Sequence, residues 1–257
     1  MITKVVIKDN KNSPIEYLSK LEAFKNGTEY TFKEGVNIIV GKNGCGKTTL
    51  MELLKRYLLV DYTECSRGDF NSNISRLLRT FKSYDKIYDG VDVYADYQRN
   101  TFRLCHAGER TSEGNQKSFK VFSEFITQNE SSTGESVLVA INSLFDQMFS
   151  KDAKLLFDYA QFKEDYYPQY AEYINAHRVE GNEWTILMDE PDRNLDLENI
   201  MQIKGILSFH KPQTQIIAVV HNPLLIVSLS KNPEVNIIEM TKGYMKKMEN
   251  NIKKLLK

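Results

Sequence analysis

The sequence predicts an α/β fold with a mostly parallel core sheet, an N-terminal antiparallel β part and a small helical lobe. In its last third, short apolar runs rich in β-branched residues (WTILMDE, TQIIAVV and VNIIEM) alternate with helical patterns. Such alternation is typical of a parallel sheet with helices on its faces. Near the N-terminus, strand patterns at Ile2 and in TEYTF precede the buried run GVNIIVG. A helix is predicted from Lys47 to about Val60, because its leucines recur at helical spacing.

The middle of the chain is less regular. The stretch GVDVYADYQRNTFRLC alternates, which predicts an antiparallel hairpin that turns near Arg99 and Asn100. A helical stripe begins at Ser136. We expect a single domain over residues 1–257. Within it, residues 1–60 and 184–241 form the α/β core, 61–150 a hairpin and helical lobe, 151–183 an acidic aromatic insertion and 242–257 a basic tail.

The composition limits the class of protein. Since 34 Lys and Arg balance 34 Asp and Glu, any contact with nucleic acid or anionic lipid must be local. Cys45, Cys65 and Cys105 are few and widely spaced, which argues against a disulfide framework and a cysteine zinc site. The sequence shows no signal-peptide pattern and no run of about 20 apolar residues. We therefore expect a cytoplasmic protein that does not contact the membrane.

The strongest motif is GKNGCGKTT, Gly41 to Thr49, which fits the pattern G-x-x-x-x-G-K-[ST] of a phosphate-binding loop. It lies between a predicted buried strand and a predicted helix, as such a loop must. Glycines let backbone N–H groups curl around phosphate oxygens, and the helix N-terminus adds its dipole. The alternative is a glycine-rich turn that only caps a helix. The expected ligands are Asn43, Gly44, Cys45, Gly46, Lys47 at the β and γ phosphates, Thr48 with its hydroxyl on Mg²⁺, and Thr49 near the α phosphate.

Two further predicted strands end in polar side chains. In WTILMDEP, Asp189 at the end of the strand is expected to hold Mg²⁺ through water, and Glu190 to polarise an attacking water. The alternative is that this acidic pair only marks where the sheet meets solvent. In IIAVVHNP, His221 follows the next buried strand, where it could donate a hydrogen bond to a γ phosphate.

The ordered set GKNGCGKTT, SSTGES, MDEP, RNLD and AVVH resembles an ATP-binding cassette (ABC) ATPase domain over residues 1 to about 241. The five segments match the Walker A, signature, Walker B, D-loop and H-loop motifs in family order. The resemblance implies a P-loop NTPase fold of ABC ATPase type. It also implies a homodimer that encloses two Mg-ATP, in which Ser132 and Gly134 contact the γ phosphate held by the partner. Asp196, in RNLD, would reach across towards the partner's Walker A loop.

The signature resembles that of a particular branch of the family. Ser131 to Glu135 reads SSTGE, which is similar to the S-x-G-E form of soluble RecF-like and SMC-like ATPases rather than to the L-S-G-G-Q of transporters. No long coiled-coil insertion is present, so the chain looks like an arm-less AAA-family ATP-binding protein. Gln98 is the expected Q-loop residue, a ligand of Mg²⁺ and of the attacking water, with Gln116 as the alternative. The adenine-stacking residue stays open among Tyr17, Phe24, Tyr30 and Phe32.

These features predict a soluble ATPase that dimerises around two Mg-ATP and uses Glu190 as general base. Its cycle is expected to couple to DNA binding or to the control of a partner effector protein such as a nuclease, for example in anti-phage defence or DNA repair. The alternative is the cassette subunit of a membrane transporter. Residues 151–183 are either part of the core or a docking surface, and the basic tail is either a solvated helix or a phosphate contact.

Overall fold

A computed structural model of the protein describes residues 1–8, 20–57, 91–95, 101–102, 184–193, 195–208 and 214–255. Within these residues the chain forms two sheets and four α-helices. The predicted helical lobe and the acidic aromatic insertion at residues 151–183 lie outside the described residues.

The smaller sheet is antiparallel. Its strands are β1 (Ile2–Ile7), β2 (Glu29–Thr31) and β4 (Val91–Ala95), in the order β2-β1-β4. In β1, Ile2, Val5 and Ile7 are buried and Thr3 is exposed, so one side of the strand faces the core. The prediction of an N-terminal antiparallel part is confirmed.

The larger sheet is parallel. Among the described residues its strands are β3 (Gly35–Val40), β5 (Thr101–Phe102), β6 (Trp184–Asp189), β7 (Thr214–Val219) and β8 (Asn236–Glu239), in the order β5-β6-β7-β3-β8. Every residue of the central strands β3 and β7 is buried, as expected for strands covered on both faces. The predicted mostly parallel core is confirmed.

The hairpin predicted in GVDVYADYQRNTFRLC does not form between the two strands of this stretch that the structure describes, β4 and β5. Strand β4 pairs with β1 in the antiparallel sheet, whereas β5 extends the parallel sheet by pairing with β6. Alternation identified both segments as strands. It could not identify their partners, because the choice depends on which sheet edges the rest of the fold leaves open.

Four α-helices follow the strand ends, and α1 begins at Lys47 as predicted. Helix α3 begins with Pro223 at its first position, and the Asn222 side chain accepts hydrogen bonds from the amides of Leu224 and Leu225. The helices are α1 (Lys47–Tyr57), α2 (Leu197–Ser208), α3 (Pro223–Leu229) and α4 (Tyr244–Leu255).

The parallel sheet separates two hydrophobic cores. Alternate residues of β3 face opposite sides, since Ile38 packs with α2, α3 and α4 while Ile39 packs with α1 and the antiparallel sheet. On α1 the predicted stripe is buried, with Leu50, Leu53 and Leu54 at most 2% exposed. Burial of each such side chain contributes about 1.5–3 kcal/mol.

One buried glutamine joins the two sheets. Gln215 of β7 is 1% exposed; its side-chain oxygen accepts from the Ile2 amide at 2.8 Å and its nitrogen donates to the Ile2 carbonyl at 2.6 Å. The same nitrogen donates to the Lys33 carbonyl at 3.0 Å. A buried polar group without partners costs about 1–3 kcal/mol, so these bonds fix how the start of the antiparallel sheet meets the parallel one.

Candidate functional site

Three parallel strands end at the same edge of the sheet. In the register of the sheet, Ile39 of β3 and Asp189 of β6 both lie opposite Val219 of β7. The residues that follow these strands are therefore neighbours. They are Gly41 with its loop, Glu190 and His221, so the sheet brings three predicted parts of the site together.

The loop after β3 has the backbone that its glycines were expected to allow. Gly44 and Gly46 have φ angles of +75° and +104°, in the left-handed region that favours glycine. A Cβ on Gly46 would lie 2.6 Å from the ring of Phe24, a core side chain that is 1% exposed. Asn43, Gly44 and Thr48 are exposed, and Cys45, Gly46 and Thr49 are partly buried. The loop thus leaves its outer surface open to a ligand.

Lys47 points back into this loop. Its side chain is 4% exposed, and the ammonium group donates to the carbonyls of Gly41 at 2.9 Å and Lys42 at 3.0 Å. No carboxylate within the described part of the chain forms an ion pair with it. A buried cation held only by carbonyls suits an anionic ligand better than the alternative of a turn that merely caps α1.

Thr241, which the sequence did not suggest, supports the other side of the loop. It follows β8, is 8% exposed, and its hydroxyl accepts from the Lys42 amide at 3.3 Å. A Cβ on Gly41 would meet the Cys45 sulfur at 2.7 Å and the Thr241 hydroxyl at 3.2 Å. No local sequence signal marks Thr241, because its partner is 199 residues away.

The two predicted carboxylates differ in their surroundings. Asp189 is 7% exposed, so it is not a carboxylate that simply meets solvent at the end of the sheet. Glu190 is partly exposed and has a φ of +53°, which is uncommon for a residue with a side chain. Its amide donates to the Val219 carbonyl and its carbonyl accepts from the Arg193 amide, both at 3.0 Å. These two bonds hold the unusual backbone in place.

Glu190 lies between a histidine and an arginine. One of its oxygens is 3.2 Å from Nε2 of His221, and the other is 3.4 Å from the guanidinium of Arg193. Arg193 is 62% exposed, so its pairing is screened by solvent. The Glu190 carboxylate therefore lies beside the imidazole ring of His221.

The surroundings of the His221 ring favour its neutral form. Burial lowers the pKa of His221, and the nearby charge of Lys47 lowers it further, while Glu190 and Asp192 oppose the shift. A neutral imidazole has one N–H donor and one acceptor nitrogen. The charge of the loop lysine is therefore close enough to His221 to act on its ring.

Asp192 is a further residue that the motifs did not reveal. It is 7% exposed, and its Oδ2 accepts hydrogen bonds from the amides of His221, at 2.8 Å, and Asn222. It thereby links the turn after Glu190 to the start of α3. The only sequence signal was its position two residues after the predicted general base.

Asp196 is exposed and lies at the start of α2. Its side chain accepts from the Asn199 amide at 2.8 Å, so it caps the helix. Its predicted contact with a second protomer stays a prediction.

Five of the predicted site residues lie outside the described residues. They are Gln98, Gln116, Ser132, Gly134 and Tyr17. Among the other adenine-stacking candidates, Phe24, Tyr30 and Phe32 are at most 5% exposed, so none of these three offers an open ring face.

The described residues fit a magnesium nucleotide. The loop has two glycines with positive φ angles, Gly44 and Gly46, and Lys47 supplies a buried positive charge. No group of three His, Cys, Asp or Glu side chains within the described ranges could hold a metal ion alone. Mg²⁺ is usually held by one or two protein ligands together with phosphate oxygens and water, which fits Asp189 and Thr48.

Comparison with known proteins gives one family match. The model of the family AAA_23, described as an AAA domain, matches residues 17–256. A solved metal-chelate type ABC transporter in an inward-facing conformation matches with a TM-score of 0.39 and 15% identity, over 93% of this chain and 79% of that chain. No curated protein matches the chain. In the part of the chain that the structure describes, no helix is long and apolar enough to cross a membrane.

The positive φ of Gly46 and the packing of Phe24 against it predict that Gly46→Ala distorts the loop and weakens Mg-ATP binding by about tenfold or more, measured by isothermal titration calorimetry. A left-handed φ costs a residue with a side chain about 1–2 kcal/mol, and 1.4 kcal/mol is tenfold in affinity. Gly205→Ala on α2 is the control, because a Cβ there meets nothing within 4 Å. It should leave the affinity unchanged. A folded Gly46→Ala protein that binds Mg-ATP as tightly as the wild type would contradict the prediction.

Proposed function

This chain belongs to the AAA_23 family of AAA domains, a group of P-loop ATPases, and we propose that it hydrolyses Mg-ATP with Glu190 as the general base. The observation that carries the proposal is the meeting of three groups at one sheet edge. Buried Lys47 lies in the phosphate loop, Glu190 follows β6, and Nε2 of His221 is 3.2 Å from the Glu190 carboxylate.

Each side chain has a separate task in this proposal. Lys47 and the loop amides bind the phosphates, and the Thr48 hydroxyl with Asp189 holds Mg²⁺, which when bound neutralises phosphate charge. Glu190 accepts the proton of the attacking water, as its partial exposure permits. His221 donates one hydrogen bond towards the γ phosphate. Its lowered pKa supports this task, because a neutral ring adds no charge to the site at neutral pH.

We further propose that ATP binding brings two protomers together. The support is the resemblance to ABC ATPases, in which the signature of one head completes the ATP site of the other. In this chain Ser132 and Gly134 would supply the signature contact and Asp196 a contact across the interface. The exposure of Asp196 at the start of α2 is compatible with such a contact.

Glu190→Gln is expected to lower ATP hydrolysis by about 10²- to 10⁴-fold, the usual contribution of a general base. It should keep ATP bound, so light scattering coupled to gel filtration should show a dimer with Mg-ATP and a monomer without it. Ser132→Arg in the same background should bind ATP but stay monomeric. A Glu190→Gln protein that hydrolyses ATP at the wild-type rate would disprove the assignment of the general base. Dimers that persist in Ser132→Arg would disprove the signature assignment.

We propose that ATP hydrolysis is coupled to DNA binding, and helix α4 supports this choice of partner. Its apolar side packs on the core, where Met248 is 7% exposed. Residues 246, 247, 253 and 254 are exposed lysines, and at 100° per residue they lie opposite that apolar side. None of them forms an ion pair within the described residues. The side of α4 that points away from the core carries these lysines, and lysines can contact the phosphates of DNA.

Replacement of Lys246, Lys247, Lys253 and Lys254 by Gln should weaken binding to double-stranded DNA by about tenfold or more at low salt. The slope of log K against log salt should fall by up to about 3 to 4, since each phosphate contact contributes about 0.9. The control replaces the exposed Lys8, Lys25, Lys33 and Lys231 by Gln, with the same change of net charge. Fluorescence anisotropy measures both. Equal losses in the two variants would contradict a site on α4. A wild-type protein that does not bind DNA would leave control of an effector protein as the coupled function.

A further inference from the structure

Asp192 is buried beside the proposed catalytic pair and has no task in the mechanism above. We infer that Asp192 is a positioning residue, which sets the separation of Glu190 and His221 by holding the backbone that carries His221. This inference rests on the proposed ATP hydrolysis. It assigns Asp192 no contact with nucleotide or metal.

The side chain of Asp192 is committed to that backbone. Its Oδ2 accepts from the amides of His221, at 2.8 Å, and Asn222. Its Oδ1 is buried and has no hydrogen-bond partner among the described residues. Hydrogen bonds to an ionised oxygen are shorter and stronger than neutral ones, so this carboxylate is a firm anchor for the two amides.

The anchor acts through a short and closed turn. The Arg193 amide donates to the Glu190 carbonyl at 3.0 Å, so Asp192 is fixed relative to Glu190. On the other side, the Glu190 amide donates to the Val219 carbonyl at 3.0 Å, just before His221. The segment that carries the general base and the segment that carries the histidine are therefore joined twice. Of these two connections, only the one made by Asp192 involves a side chain.

Loss of this joint should affect the chemical step more than ATP binding. Asp192 takes no part in holding Lys47, whose ammonium group donates to the carbonyls of Gly41 and Lys42 in the phosphate loop. A displacement of about 1 Å at a catalytic group can cost about 10²-fold in rate. Removal of Asp192 should thus change kcat and leave KM nearly unchanged.

The test compares Asp192→Ala, Asp192→Asn and Asn222→Ala. Asp192→Ala is expected to lower kcat for Mg-ATP by about 10- to 100-fold, with KM within about threefold of wild type. Asp192→Asn should recover most of kcat, because its amide oxygen can accept the same two bonds. Asn222→Ala is the matched control, since it removes the cap of α3 at Leu224 and Leu225 and keeps both amides that Asp192 binds. It should lower the melting temperature but keep kcat within about threefold.

A structural role alone predicts a different pattern. If Asp192→Ala keeps kcat within twofold of wild type, the inference is wrong. It is also wrong if Asn222→Ala loses as much kcat at an equal drop in melting temperature. Should Asp192→Ala not fold, Asp192→Glu displaces the carboxylate by one methylene. A folded Asp192→Glu protein with normal kcat would overturn the inference.

A second readout separates this inference from the proposed function. Amide hydrogen exchange at residues 221 and 222, measured without ATP, should be about tenfold faster or more in Asp192→Ala and unchanged in Asn222→Ala. If the wild type does not hydrolyse ATP, the proposed function fails, and the exchange rates still decide whether Asp192 holds this backbone. Unchanged exchange in Asp192→Ala would refute the anchor.

Discussion

The site depends on the register of three neighbouring parallel strands. Because β6, β7 and β3 are aligned so that Asp189, Val219 and Ile39 are level, their carboxyl ends lie in one row. The phosphate loop, the acidic pair and the histidine then need no long connection to meet. A slip of one residue in either pairing would exchange the side chains that face the two hydrophobic cores and would separate the groups. Burial of both faces of β3 and β7 opposes such a slip.

The charges at this edge are arranged around a buried cation. Lys47 is held by two carbonyls, and its charge helps to lower the pKa of His221. Glu190 is the most open of the acidic groups here, while Asp189 and Asp192 are each 7% exposed. A positive loop beside an accessible carboxylate and a neutral imidazole suits phosphoryl transfer to water, which requires positioning and charge stabilisation rather than covalent chemistry.

The sequence predicted the groups that follow strand ends, because a buried strand and the motif after it are local signals. In the structure these groups lie at the ends of their strands: Gly41 to Thr49 after β3, Asp189 and Glu190 at the end of β6, and His221 after β7. Local patterns could not predict contacts such as those of Asp192, Thr241 and Gln215, whose partners are 29, 199 and 213 residues away. The prediction of a hairpin between β4 and β5 was not confirmed for the same reason, since alternation indicates a strand but not its partner. Ser132, Gly134 and Gln98 stay predictions.

The most direct measurement is phosphate release from Mg-ATP by the purified chain, compared with Lys47→Ala. If the strand ends form a catalytic nucleotide site, the wild type should release phosphate only when Mg²⁺ is present. Lys47→Ala should then be slower by about 100-fold or more, since an electrostatic contact of this kind contributes about 10²–10³ in rate. Equal rates for the two proteins, or no magnesium-dependent release by the wild type, would contradict the account.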